Sequence, residues 1–218
     1  MASRSKAKSC VPAKKKCGSS LRRSKHESDP YVQRARAEGW RSRAALKLEA
    51  IDQRDGIFSR GQMVVDLGAA PGGWSQLAVN RVGKQGMVIA IDCLEMEPIA
   101  GVRFIHADFT QDAGLRAVEN GLEGRQVDVV MSDMAPNLSG HAAIDQPAAI
   151  YLAELAAEFA MRKLSKSGIF LAKAFQGEGF DEFRTHLLTG FNKVIARKPD
   201  ASRSASREVY LLAREPVL

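Results

Sequence analysis

The chain has 218 residues, 45% of them hydrophobic and 26% charged, enough for one globular domain with a sizeable core and too few for two ordinary ones. No uninterrupted apolar run could span a bilayer, and three cysteines, Cys10, Cys17 and Cys93, make no disulfide framework. The net charge of +7 points to an anionic partner but is unevenly placed: residues 1–26 hold nine Lys and Arg and no acid, leaving 23 basic against 25 acidic residues beyond them.

Residues 1–28 are rich in Ser, Lys and Arg and poor in large apolar side chains, so a basic, disordered tail is expected there, with a folded domain over 29–218. The tail lacks the apolar core of a secretory signal; its acid-free Ser/Arg composition is that of an organelle transit peptide, but without an amphipathic stripe. Few cysteines fit a reducing, cytoplasmic setting. The histidines His26, His106, His141 and His186 are scattered, and no metal site is expected. Within the domain, basic residues cluster twice: Arg34, Arg36, Arg41, Arg43 and Lys47, then Lys193, Arg197, Lys198, Arg203 and Arg207. Each cluster reads either as an RNA-facing patch or as a solvated surface.

From Pro30 onward the pattern predicts helices over 31–38 and 41–54, the second with Ala44, Leu48 and Ile51 on one face. Seven β-rich runs follow: 63–66, 87–92, 102–106, 127–132, 169–174, 194–197 and 209–213. Helix-compatible stretches at 74–81, 114–120, 148–164 and 180–188 lie between them, the third with a stripe of Ala148, Leu152, Leu155 and Phe159. This alternation predicts an α/β fold, a mostly parallel sheet covered by helices on both faces. Only the loop 198–208 separates the last two runs, too short for a helical crossover, so they should pair antiparallel. In such sheets ligands bind at the carboxyl ends of the strands.

The first run ends in Asp66-Leu67-Gly68-Ala69-Ala70-Pro71-Gly72-Gly73-Trp74. A glycine-rich turn between strand and helix lets a ligand approach the backbone. Ala70 occupies the second glycine position of a dinucleotide fingerprint and Pro71 removes an amide donor, so a pyrophosphate would be poorly held. Asp92 closes the second run, where an acid can accept hydrogen bonds from both hydroxyls of a ribose. Asp108, between Ala107 and Phe109, follows the third and could meet an adenine amino group beside an apolar neighbour. Ribose, adenine and an amino-acid tail without phosphate describe S-adenosylmethionine. Trp74 fits either this site or the core.

The fourth run leads into Ser132-Asp133-Met134-Ala135-Pro136-Asn137, and the fifth contains Lys173. A lysine in a central, doubly covered strand is costly unless paired or functional, and Asp133 on the neighbouring strand is its natural partner. Lys47, beside the apolar face of its helix, and Glu208, opening the last run, read singly as surface residues.

The segments 65–76, 131–137 and 175–180, with Arg41-Ser42-Arg43-Ala44 and Arg207-Glu208-Val209-Tyr210, closely resemble the FtsJ/RlmE family of ribosomal RNA 2′-O-methyltransferases, over roughly Asp29 to Ala213. The resemblance departs just before Tyr31, where many members carry an aromatic-containing stretch and this chain has Arg22-Arg23-Ser24-Lys25-His26-Glu27. It implies the Rossmann-like class I methyltransferase fold, with the last strand antiparallel, and a catalytic domain over 29–218. It also implies a catalytic group of Lys47, Asp133, Lys173 and Glu208, and S-adenosylmethionine contacts at Gly72, Trp74, Asp92, Asp108 and Asp133. The implied reaction is methylation of a uridine ribose in 23S rRNA of the large subunit, by a cytoplasmic monomer without membrane contact. The alternatives are a transfer-RNA or messenger-RNA cap 2′-O-methyltransferase, a nucleotide-dependent oxidoreductase, or a non-catalytic RNA-binding protein.

Lys173 is the residue expected to orient the 2′-hydroxyl and receive its proton. An ordinary lysine stays protonated at neutral pH; burial and Lys47 would favour the neutral amine, Asp133 and Glu208 the charged one. A charged Lys173 could still steer the hydroxyl and stabilise developing oxyanion character.

Overall fold

The computed structural model describes residues 29–137, 139–202 and 206–217. The expected basic tail, with Cys10, Cys17, His26 and the departing segment 22–27, lies outside the described residues, as does Arg203.

Asp29 caps α1 (Pro30–Ala37): its carboxylate accepts from Tyr31 N at 3.1 Å, and Pro30 fills the first helical position, where no N–H is needed. The next helix, α2 (Ala44–Asp55), starts three residues later than the sequence pattern predicts. Arg41 N is engaged by the Gln76 side chain at 3.1 Å, which holds 41–43 as a turn. Gly56, at φ 61, ends α2 in the left-handed conformation. There follow β1 (Met63–Leu67), α3 (Gly73–Val82), β2 (Met87–Asp92), β3 (Val102–His106), α4 (Asp112–Leu122) and β4 (Val127–Ser132). The chain continues through α5 (Ala142–Lys163), β5 (Leu164–Phe175), α6 (Phe180–Gly190), β6 (Phe191–Arg197) and β7 (Glu208–Pro216).

All seven strands form one sheet, in the order β3-β2-β1-β4-β5-β7-β6. The β1–β2, β1–β4, β2–β3 and β4–β5 pairs are parallel, and β7 runs antiparallel to both β5 and β6. The expected antiparallel pair is therefore present, with the reversed strand inserted between β5 and β6 rather than at the edge.

Strand alternation divides the core between the two faces. On one face Val65, Leu67, Phe170, Ala172, Leu211 and Ala213 pack with side chains of α4, α5 and α6. On the other Val64, Ile169, Leu171, Tyr210 and Leu212 pack under α2 and α3, through Leu48, Ile51, Trp74 and Leu77. Lys173 follows the parity of Ile169 and Leu171, and Glu208 that of Tyr210, so both belong to the α2 side.

Two expectations about α5 need correction. The helix starts at Ala142, upstream of Pro147, because Asp145 ties down the preceding loop, accepting from Ser139 N at 2.7 Å and Gly140 N at 3.0 Å. Its buried face runs through Ala149, Ala153, Ala156 and Ala160 with Phe159 of the expected stripe, whereas Ala148, Leu152 and Leu155 are only partly buried. Small side chains let the helix lie close to the sheet and displace the bulkier stripe to the flank.

Candidate active site

At the carboxyl end of β1 the chain turns through Gly68, at φ 79, whose amide donates to Ile91 O at 2.9 Å. A Cβ on Gly68 would come 2.6 Å from Met134 Cγ and 3.0 Å from the Met134 backbone. Glycine is thus what lets the turns after β1 and β4 touch. Gly72, at φ 103, precedes α3, and Gly73 leaves only 2.4 Å between a hypothetical Cβ and Ser42 Oγ. A narrow cleft runs between these elements, lined among others by Ser42, Gly68, Ala69, Gly73, Trp74 and Asp133.

The acids expected at strand ends are present there. Asp92 accepts from Ala70 N at 2.9 Å through Oδ2 and from Leu94 N at 2.8 Å through Oδ1, fixing the glycine turn against the end of β2. Asp108 Oδ1 accepts from Thr110 N and Oγ1, at 2.9 and 2.7 Å. Its neighbour Phe109 is a core residue, packed edge-on to Phe159 at 5.6 Å. Trp74 is a core residue, only 2% exposed: it donates from Nε1 to Ala44 O at 2.9 Å and packs at a tilt against Tyr210, ring centroids 5.6 Å apart, while its edge borders the cleft.

The four charged residues converge on the same end of the sheet. Lys173 Nζ donates to Asp133 O at 2.6 Å and Asp133 Oδ1 at 2.8 Å. Two strands away in sequence but adjacent in the sheet, Glu208 Oε1 accepts from Lys47 Nζ at 2.5 Å, Tyr210 OH at 3.1 Å and Ser202 Oγ at 3.3 Å. The β5–β7 register pairs Lys173 with Tyr210 and Phe175 with Glu208, which sets the two ion pairs side by side. Lys47, read singly as a surface residue, is only 7% exposed. Burial alone would push the Glu208 carboxyl up, but the hydrogen bond and charge of Lys47, the charge of Lys173 and the Tyr210 hydroxyl together hold it below the ordinary range.

Residues outside the expected set also shape the site. The Tyr210 hydroxyl bridges Lys47 and Glu208, with Lys47 Nζ at 3.3 Å. Asp66 is wholly buried, and its Oδ2 accepts from Ser75 Oγ at 2.6 Å, while Oδ1 has no partner. Burial, opposed by the Ser75 hydroxyl and reinforced by the charges of Asp133 and Asp92, raises the Asp66 carboxyl to about 7. The native state then binds this proton more tightly than the unfolded chain, so stability falls as pH rises from about 4 to about 7. Asp66→Asn should flatten that fall. Melting both proteins across this window tests it: parallel curves would mean Asp66 is not the titrating group.

The basic clusters largely serve the fold. Arg34 pairs with Glu38 at 2.6 Å and Glu49 at 3.6 Å, Arg43 with Asp29, and Arg197 with Asp55 at 2.6 Å. Arg41 donates to the carbonyls of Glu97 and Pro98 at 2.5 and 2.7 Å, tethering the segment after β2. Arg36, Lys193 and Arg207 form no ion pair among the described residues.

A glycine turn at the end of β1, acids at successive strand ends and one reversed strand in a seven-stranded sheet define a Rossmann-like methyltransferase. The chain belongs to the FtsJ-like methyltransferase family, whose model matches residues 40–216. A protein of Halorhodospira halophila named ribosomal RNA large subunit methyltransferase E is 68% identical over 209 residues, 96% of this chain and 99% of that one. One of the same name from Chromohalobacter salexigens is 57% identical over 188 residues, 86% and 90% of the two chains. Among solved structures, one described as a ribosomal RNA methyltransferase from Plasmodium falciparum superposes with a TM-score of 0.73 at 26% identity, covering 81% of this chain and 98% of that one.

Proposed function

We propose that this enzyme transfers a methyl group from S-adenosylmethionine to the 2′-hydroxyl of a uridine in 23S rRNA of the large ribosomal subunit. The observation that carries the reading is the amine of Lys173, held by two oxygens of Asp133 beside the Lys47–Glu208 pair and the glycine turn. The names of the relatives supply the choice of ribosomal RNA.

The residues present suit the cofactor. Asp92 and Asp108 offer carboxylate oxygens to ribose hydroxyls and an adenine amine, while an edge of Trp74 borders the cleft and Gly72 ends the glycine turn beside it. With Asp133 these carboxylates favour a cationic ligand and disfavour a phosphate. Bound there, S-adenosylmethionine supplies a sulfonium-activated methyl group.

The chain's own task is alignment of the acceptor. Two of the three Lys173 N–H groups are used by Asp133, which fixes the amine and leaves the third for the ribose oxygen. That donor orients the oxygen and stabilises the negative charge that grows on it as its proton passes to water. Lys47 and Glu208 hold the neighbouring wall through the α2–β7 contact and add to the local field.

We take the enzyme to act as a monomer. No helix among the described residues is long and apolar enough to cross a membrane, and we place the protein in the cytoplasm with its substrate.

Mapping ribose methylation in ribosomes from a strain lacking the gene should show one 23S uridine unmodified, restored by the purified enzyme with S-adenosylmethionine. An unchanged map would refute the assignment. Asp92→Ala should weaken cofactor binding by roughly 10–100-fold, since a charge-assisted hydrogen bond is lost along with the anchor of the Ala70 and Leu94 amides. Calorimetry measures this, and an unaltered affinity would misplace the ribose contact.

A further inference from the structure

Beside the catalytic group, a cavity of about 180 Å³ opens between the later turns of α2 and the segment leaving β6. Ala50, Ile51 and Pro199 give it an apolar lining, and Arg54, Arg197 and Lys198 supply positive charge. Arg197 is neutralised by its two hydrogen bonds to Asp55, at 2.7 and 2.6 Å. Arg54 forms no ion pair among the described residues, and Lys198 donates one hydrogen bond, to Ser206 O at 3.1 Å. The only unpaired acid in the lining is the exposed Asp200. The cavity therefore carries two cations not neutralised by a paired acid, over an apolar surface.

Its position is fixed twice. The sheet register pairs Lys173 with Tyr210 and Tyr210 with Arg197, one row across three strands, or about 10 Å at the usual strand spacing. Independently, Arg54 lies seven residues beyond Lys47 on α2, again about 10 Å along the helix. Both measures put the cavity on the face of the sheet that carries the catalytic group, a short step along any RNA strand whose target ribose lies at Lys173.

We infer that this cavity receives a nucleotide flanking the target, its phosphate against Arg54 and Lys198 and its sugar and base over Ala50, Ile51 and Pro199. The inference rests on the RNA methyl-transfer reading above. Single-stranded RNA is held by this combination of phosphate contacts and flat apolar or guanidinium surfaces. Much of the first basic cluster is engaged within the fold, whereas Lys198 of the second stands with Arg54 in this hollow as an anchor for phosphate.

The test is RNA binding by the double variant Arg54→Ala, Lys198→Ala, using a single-stranded rRNA fragment that contains the target uridine, across a salt series. Relative to the parent, affinity should fall roughly tenfold, and the slope of log affinity against log salt should drop by about one per charge removed. The KM for RNA should rise in step, while cofactor affinity measured by calorimetry stays at the parent value. Lys166→Ala, which removes an exposed charge near the opposite end of β5, should bind RNA as the parent does. A double variant with the parent's affinity and slope overturns the inference, as does an equal loss in Lys166→Ala. If the parent neither binds the RNA nor methylates it, the functional reading falls too; if the parent does both, only the cavity is misassigned.

Discussion

Lys173→Ala should reduce methyl transfer by about 10³-fold or more while cofactor affinity stays close to that of the parent. The amine lies where two elements meet, on β5 and bonded to the turn after β4. The fold should tolerate the loss. Asp133 keeps 23% of its side-chain surface exposed, and water can satisfy the oxygens that Lys173 releases. Lys173→Arg should not restore the rate, because a planar guanidinium cannot place one N–H where the ammonium does. Single-turnover measurement with saturating cofactor separates chemistry from binding, and activity within tenfold of the parent would remove Lys173 from the mechanism.

Lys47→Ala should cost both activity and stability, the latter by roughly 3 kcal/mol, since breaking a buried pair leaves an uncompensated charge. Glu208 would remain with the hydroxyls of Tyr210 and Ser202 and only 14% of its side chain exposed. Removing the acid as well should return part of the stability, so the double variant Lys47→Ala, Glu208→Ala should melt above Lys47→Ala. The pH dependence has a definite sign. With the Glu208 carboxyl held below its ordinary range, its contribution is complete above the unfolded-state value and disappears as pH falls through the folded one. Denaturant titrations of the parent and Lys47→Ala should therefore converge as the solution is acidified. A gap that stays constant with pH would mean the pair contributes through packing alone.

How much of this was readable in advance depends on the range over which each interaction acts. Central strands such as β1 and β4 announce themselves, because burial on both faces demands apolar runs. Lys173 stood out for the same reason, as a charge where the local pattern forbids one. Lys47 and Glu208 did not. Their contact joins positions 161 residues apart, and each carries a local environment that fits an ordinary surface residue. Asp66 looked like one more strand-end acid until its parity placed it under α3 against Ser75. The basic clusters stay open in the sequence for a like reason, since composition cannot show that Arg43 is claimed by Asp29 or Arg197 by Asp55. The α5 stripe slipped by a residue because alanine, nearly silent in a hydrophobicity pattern, decides which side of that helix can come closest to the sheet.

The strand that carries Glu208 is the last of the seven to leave the ribosome, yet it occupies an interior place between two strands made before it. During synthesis β5 must wait with a bare edge, and β6 has no neighbour at all until that final piece slides in. A nascent chain at that stage already holds its glycine turn and Lys173 but has no Glu208 for the helix-borne Lys47 to grip. One strand thus closes two gaps at once, and without β7 the sheet would lose the partner of β5 and the whole of the β6 pairing together.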